Sequence, residues 1–250
     1  MPDELVHLRI DSGVATVTLD SPANRNALSQ RLVAELVDHL TTAGADPTVR
    51  AVVVAAEGPV FCAGADMAEA AEHGMVEGSR ALVALQRQIV AVPVPVVVRL
   101  HGPVRAGGLG LVGAADVVVA SETVTFAFTE VRLGLAPAAI SLTTLPRLTD
   151  RAAAQAYLTG DTFDAAAAVA MGLVTSAVPA TELDAAVGAV VGSLLEGSAQ
   201  GLRETKALLT APMLDRIDRL GEEVAARSAR LFASPQAQAA LRAFLGRRAP

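Results

Sequence analysis

The chain has 250 residues, of which 52% are hydrophobic and 18% charged, with a formal net charge of −6. That length suits one sizeable core with a small appended lobe, and the composition is that of a compact globular protein and not a disordered one. The acidic balance gives no reason to expect nucleic acid, and the single cysteine, Cys62, excludes an internal disulfide and an all-cysteine metal site.

The longest apolar run, residues 89–98, contains two prolines and stops at Arg99. It falls well short of the ~20 residues that cross a bilayer, so no membrane is expected. Residues 1–10 carry acids and no apolar targeting core, and the expected location is the cytoplasm. Arginine far outnumbers lysine, Lys206 being alone, which at this level reads as genome composition and not mechanism.

Residues 5–10 and 14–19 are β-branched runs separated by Asp11-Ser12-Gly13, a hairpin signature. After a turn-rich loop over 21–26, Ser29 is placed to cap a helix with Leu32, Val33, Leu36, Val37 and Leu40 on one face, ended by Gly44 and Pro47. Residues 51–56 read as a strand buried on both faces, and they lead into the small-residue loop Phe61-Cys62-Ala63-Gly64-Ala65-Asp66-Met67. The polar, glycine-containing stretch 69–79 is expected to be mobile or at least exposed. Leu82, Leu85 and Ile89 then mark a second amphipathic helix, closed by Pro93.

The apolar strand 96–100 runs into His101-Gly-Pro-Val-Arg-Ala-Gly-Gly-Leu-Gly-Leu-Val-Gly-Ala-Ala-Asp116, with a short helix opening near Gly107. Such a junction aims free backbone N–H groups at one point where negative charge can be stabilised, and glycine leaves the approach open. A strand over 117–120 and a β-rich stretch over 124–128 precede Thr129-Glu130-Val131-Arg132-Leu133-Gly134. Strand, small-residue loop and helix thus recur in a ββα-like superhelical rhythm. Beyond Ala136-Pro137-Ala138-Ala139, helices are predicted over 150–158, stopped by Gly160, and over 165–171, capped by Asp164 and ended by Gly172. Helical periodicity then dominates, in segments 181–195, 199–209, 217–232 and 236–245. An α/β core over 1–180 and a helical lobe over 181–250 are expected, the lobe being apolar enough to cover a neighbouring subunit.

Gly108-Leu109-Gly110-Leu111-Val112-Gly113 spells G-x-G-x-x-G, but seven residues separate it from the preceding strand and the next strand begins by about Val117. A dinucleotide site is therefore not expected. His101 and Ser141 lack the G-x-S-x-G elbow of a hydrolase triad, and His7, His39 and His73 are scattered, so His101 reads as structural. No clustered ligand set points to a metal. Glu130 lies in largely apolar surroundings, where desolvation raises a carboxyl pKa toward values suited to proton transfer. The competing reading is an exposed glutamate paired with Arg132. Asp66 and Asp116 read as cap or turn residues.

Three blocks together resemble the crotonase, or enoyl-CoA hydratase/isomerase, superfamily. They are Phe61–Met67, which resembles an F-x-A-G-A-D loop; His101-Gly102 with Ala106-Gly107-Gly108 and Asp116, which resembles N-G-x-x-x-G-G-G…D; and residues 126–138 with Glu130, Gly134 and Pro137. The resemblance implies a ββα superhelix with a helical C-terminal trimerisation lobe, assembled as a homotrimer or dimer of trimers. It implies an acyl-CoA thioester as substrate, with no separate cofactor. The backbone N–H groups of Ala65 and Gly107 would form the oxyanion hole and Glu130 would be the catalytic acid/base. Arg25, Ala27, Ala63, Gly64, Asp66, Met67 and Gly108 would bind substrate, and Arg247 or Arg248 would reach CoA phosphates.

The chain departs from that pattern at Gly110, where two-acid hydratases carry a glutamate. Ala106 also replaces a usual glycine, and Arg105 stands where an apolar residue is common. Residues 130–138 resemble methylglutaconyl-CoA hydratase-like members, so the leading expectation is hydration of a branched or medium-chain 2-enoyl-CoA. The alternatives are an enoyl-CoA isomerase using Glu130 alone and a non-catalytic acyl-CoA-binding protein.

Overall fold

The structure, a computed structural model, describes residues 4–246. Strands β1 (Val6–Asp11) and β2 (Val14–Leu19) form the predicted hairpin. Ser12 (φ 51°) and Gly13 (φ 84°) both take left-handed φ, as the tight two-residue turn between twisted strands requires. With β3 (Ala51–Ala56), β4 (Val96–Leu100), β6 (Val117–Ser121) and β9 (Ser176–Val178) they build a six-stranded sheet in the order β1-β2-β3-β4-β6-β9, parallel except at the hairpin. A three-stranded sheet holds β5 (Val104–Arg105), β7 (Thr125–Ala127) and β8 (Phe163–Asp164).

Alternation along the central strands explains why they contain almost nothing polar. Val52, Val54, Val96, Val98, Val118 and Ala120 belong to the main core, with α1 (Gln30–Ala45) and α3 (Val76–Ala91). Val53, Val97 and Val119 point the other way and are covered by Leu183 and Val187 of α8 (Leu183–Glu196). The helical lobe therefore begins as the second cover of the sheet. No helix among the described residues is long and apolar enough to cross a membrane.

Local signals account for most helix ends. Ser29 Oγ accepts the Leu32 N–H at 3.2 Å to open α1, and Asp164 Oδ1 accepts the Ala167 N–H at 2.8 Å to open α7 (Ala165–Met171). Gly160 and Gly172 close α6 (Asp150–Thr159) and α7 in the left-handed conformation.

Two expectations are refined. Residues 69–79 are largely exposed, as expected, but they are helical and not irregular, because Asp66 Oδ1 accepts the N–H groups of Ala68 (3.0 Å) and Glu69 (3.2 Å) and starts α2 (Met67–His73), after which α3 begins at Val76. Residues 199–232 form one helix, α9 (Ala199–Phe232), and not two. Pro212 removes one backbone donor, but Lys206, Thr210, Met213 and Ile217 are buried on both sides of it and hold the helix through the break. The last described element is α10 (Pro235–Gly246).

The short helix α4 (Gly108–Ala114) is buried along its whole length. A Cβ at Gly108 would stand 2.9 Å from Cys62 atoms, and one at Gly113 would stand 2.9 Å from Thr143 and Thr144, the latter two in α5 (Ser141–Thr144). The G-x-G-x-x-G string is thus a packing device that lets α4 sink into the core. Arg147 closes its far end, donating from Nε to Gly113 O (3.0 Å) and from Nη2 to Ala115 O (2.9 Å).

Lys206 is more than a trace of composition. Its side chain is 5% exposed, and Nζ donates to Ile89 O (3.1 Å) and Val94 O (3.0 Å) and pairs with Asp116 Oδ2 (2.8 Å). Asp116 Oδ2 also accepts the Val96 N–H at 2.7 Å, as a structural turn residue should. One compact ammonium thus fastens α9 to the entry of β4 and the exit of α4, a junction too tight for a planar guanidinium.

Candidate active site

A cavity of about 940 Å³ opens between α2 and α3, the loop before α4, the turn around Glu130, and the helices α9 and α10. Its floor is set by two backbone amides. The Ala65 and Gly107 N–H groups donate to no acceptor among the described residues, and both residues line the cavity. A Cβ at Gly107 would stand 3.4 Å from Ala65 N, so the bare glycine keeps the space in front of that amide open. Ala106 turns the chain at φ 45° and anchors it by donating its own N–H to Ala127 O at 3.1 Å. Its left-handed backbone explains why a glycine is usual at this point.

Glu130 belongs to the one-turn helix Thr129–Leu133, which Gly134 ends at φ 69°. It does not pair with Arg132, which bonds to Asp161 Oδ1 through Nη2 at 2.5 Å. Glu130 is half-buried on the cavity wall, and its occluded Oε2 has no hydrogen-bond partner. Burial pushes its pKa up to about 7. Around it the wall is apolar, with Leu133, Leu135, Ala136, Pro137 and Ile140. A carboxyl poised near neutrality therefore shares one cavity with two free amide donors, a set suited to moving a proton beside a carbonyl whose oxygen gains charge.

The position of the missing acid is closed, not empty. A Cβ at Gly110 would stand 2.9 Å from Ile140 Cγ2 and 3.0 Å from Gln86 Cδ and Oε1. Gln86 is fully buried and fixed: Nε2 donates to Leu82 O (3.1 Å) and Ala139 O (3.2 Å), and Oε1 accepts from Thr143 Oγ1 (2.6 Å). Gly110 does not face the cavity.

Of the residues singled out from sequence, Arg25, Ala27, Ala63, Ala65, Asp66, Met67, Gly107 and Glu130 all line this one cavity. Gly64, Gly108 and Gly110 stay behind its wall. Gly64 (φ 93°) packs under Ala106 and Gly107, and Gly108 packs on Cys62, whose thiol burial pushes up to about 12. Asp66 also accepts from Asn24 Nδ2 at 3.3 Å, holding the cavity mouth together. His101 is structural, its Nε2 lying 2.7 Å from Gly58 O, and Ser141 Oγ donates to Ala138 O at 2.6 Å. Arg247 and Arg248 lie outside the described residues. No group of three or more metal-ligating side chains occurs among the described residues. Sequence reasoning missed Gln86, Ser79 and Phe232. Only the hydrophobic period of α3 pointed toward the first two, and nothing local marked the third.

The family described as Enoyl-CoA hydratase/isomerase matches residues 9–250. The chain belongs to the enoyl-CoA hydratase/isomerase family. A solved enoyl-CoA hydratase from Mycobacterium avium is 49% identical, covers 99% of this chain and 98% of its own, and superposes with a TM-score of 0.92. Its likeness bears out the expected crotonase-like ββα fold with a helical C-terminal region. A (7aS)-7a-methyl-1,5-dioxo-2,3,5,6,7,7a-hexahydro-1H-indene-carboxyl-CoA hydrolase of Mycobacterium tuberculosis is 32% identical over 212 residues, 83% of this chain and 85% of that protein. Enoyl-CoA isomerase/hydratase fer4 of Mycosarcoma maydis is 34% identical over 191 residues, 71% of this chain and 69% of that protein. The enoyl-CoA hydratase/isomerase family thus carries several reactions on one frame, and the choice among them lies with the residues of each cavity.

Proposed function

We propose that this member of the family is an acid–base enzyme of acyl-CoA thioesters working with a single carboxylate, Glu130, and that double-bond isomerisation is the reaction it completes unaided. The observation that carries the reading is the crowding of the Gly110 position, where even a Cβ would stand 2.9 Å from Ile140 Cγ2 and 3.0 Å from Gln86, so that position supplies no second acid. The thioester oxygen accepts from the Ala65 and Gly107 N–H groups. Ionised Glu130 takes a proton from the α-carbon of a 3-enoyl thioester, the electron pair spreads into a dienolate, and the same carboxyl returns the proton at the γ-carbon. One proton leaves and one arrives, so no other reactant is needed. Each amide is worth ~3 kcal/mol of transition-state stabilisation. Arg25 and Asp66–Met67, at the mouth, are assigned to the CoA portion.

Hydration of a branched or medium-chain 2-enoyl-CoA is the second reading, favoured by the description of the 49%-identical relative as an enoyl-CoA hydratase. It requires a water held at the β-carbon, with Glu130 serving both proton steps. Incubation with 3-hexenoyl-CoA, crotonyl-CoA and 3-methylglutaconyl-CoA in deuterated water, followed by mass spectrometry, separates the two. Deuterium uptake with bond migration supports isomerisation, and gain of water on a 2-enoyl ester replaces it with hydration. Binding of all three esters without either change would leave a non-catalytic acyl-CoA binder, and no binding would overturn the acyl-CoA reading itself. Since Glu130 must be ionised to accept the α-proton, kcat/KM is expected to rise with pH to a plateau above about 7.

A further inference from the structure

Among the described polar residues whose whole side chain is buried, all but Ser79 are hydrogen-bonded, the other unpartnered buried atoms (Arg50 Nε, His101 Nδ1, Glu130 Oε2 and Arg216 Nε) belonging to partly exposed side chains. Gln86, Thr143, Thr144, Thr210 and Lys206 are all hydrogen-bonded. Ser79, 2% exposed, carries a buried Oγ with no partner. A hydroxyl inside a helix ordinarily turns back to the carbonyl one turn earlier, as Thr144 does to Ile140 O (2.6 Å) and Thr210 to Lys206 O (2.8 Å). Ser79 makes no such bond to Met75 O. A buried hydroxyl left unmet is a net cost to the fold, and a partner bound from the cavity would offset it.

Its location identifies that partner. Ser79 lines the same cavity as Glu130 and the two free amides. It lies one helical turn, roughly 5 Å, from Leu82 along α3. Leu82 Cδ2 in turn lies 3.5 Å from where a Cβ at Gly107 would stand. Met75 and Leu82, on the same face of α3, are apolar, and Met75 packs with Phe232. These flanking side chains are apolar, a setting in which a neutral oxygen is a less costly partner than a charged one.

We propose that Ser79 recognises a hydroxyl or ketone oxygen on the acyl group, a few carbons from the thioester, so that the site selects oxygenated acyl-CoA esters over plain hydrocarbon ones. This rests on the acyl-CoA reading above and names its substrate class. The hydroxyl donates to a ketone, or donates to and accepts from an alcohol, and fixes the chain with the α-carbon at Glu130.

Saturated thioesters test this without turnover. Calorimetric Kd values are measured for hexanoyl-, 4-oxohexanoyl-, 5-oxohexanoyl- and 6-hydroxyhexanoyl-CoA with the wild type and Ser79→Ala. The wild type is expected to bind at least one oxygenated ester about tenfold more tightly than hexanoyl-CoA. Ser79→Ala is expected to lose that preference, bind hexanoyl-CoA no worse, and melt at or above the wild type without ligand. Equal binding of all four esters by the wild type, or a preference that survives in Ser79→Ala, overturns the proposal. So does a lowered Tm of the ligand-free variant, which would give the hydroxyl to the fold. Failure of hexanoyl-CoA itself to bind overturns the underlying acyl-CoA reading.

Discussion

Glu130 is held in the folded protein with a pKa of about 7 against an ordinary 4.5. Between those values the folded state keeps a proton that the unfolded chain has released, so stability falls as pH rises from about 4.5 to 7. Above that window the ionised carboxylate costs the fold about 1–3 kcal/mol. Glu130→Gln is therefore expected to melt higher than the wild type at pH 8, with the gap vanishing below pH 4.5, while deuterium exchange at the α-carbon drops by about 10²–10⁴-fold. Equal melting temperatures at both pH values would show that the carboxyl is not desolvated. Ala106, at φ 45°, is a second strained residue. Ala106→Gly is expected to stabilise the protein by about 0.5–1 kcal/mol in urea denaturation. The apolar setting of Glu130 and the glycine-rich loop were readable in the sequence, whereas Ala65 and Gly107 were singled out only through the family resemblance. The sequence could not decide between a poised Glu130 and one paired with Arg132, since the partner that takes Arg132 is Asp161, distant in sequence. Ser79 and Gln86 were hidden for a similar reason, because which helix positions face a cavity is decided by packing.

Among the elements, α4 shows how a glycine can be functional without touching anything that reacts. Gly110 gives up the volume that Gln86 and Ile140 fill. Gly110→Ala is expected to cost about 1–3 kcal/mol through overpacking, read by denaturant unfolding. Gly110→Glu is expected to destabilise further without producing hydratase activity, because the carboxylate has no open path into the cavity. Gain of hydration in that variant would show that the Gln86 side of the wall yields. Strand and helix positions followed closely from periodicity and caps, β3 and α7 falling where the pattern put them. The misses have single causes. Pro212 reads as a helix end until burial on both sides of it is known, and the polar 69–79 stretch reads as a loop unless Asp66 is recognised as its cap.

For the molecule as a whole, the joint at Lys206 connects parts that periodicity alone left separate. Exposed pairs such as Arg80–Glu222 and Arg87–Asp218 also join α3 to α9, but they lie in solvent and contribute little. Lys206→Ala strands the Asp116 carboxylate and is expected to cost about 3–5 kcal/mol. Lys206→Met with Asp116→Asn should recover part of that loss, and a double variant no better than the single would mean the lysine stem, not its charge, is what matters. The sequence pointed correctly to an α/β core followed by helices, yet the first of those helices closes the sheet of the core itself. The same lysine has a consequence for covalent chemistry. Thioesters acylate free amines, and this chain has no other side-chain amine, while the one it has is shielded with every N–H engaged. An amine-reactive ester should therefore leave Lys206 unlabelled in the native protein and modify it only on unfolding, read by peptide mass spectrometry.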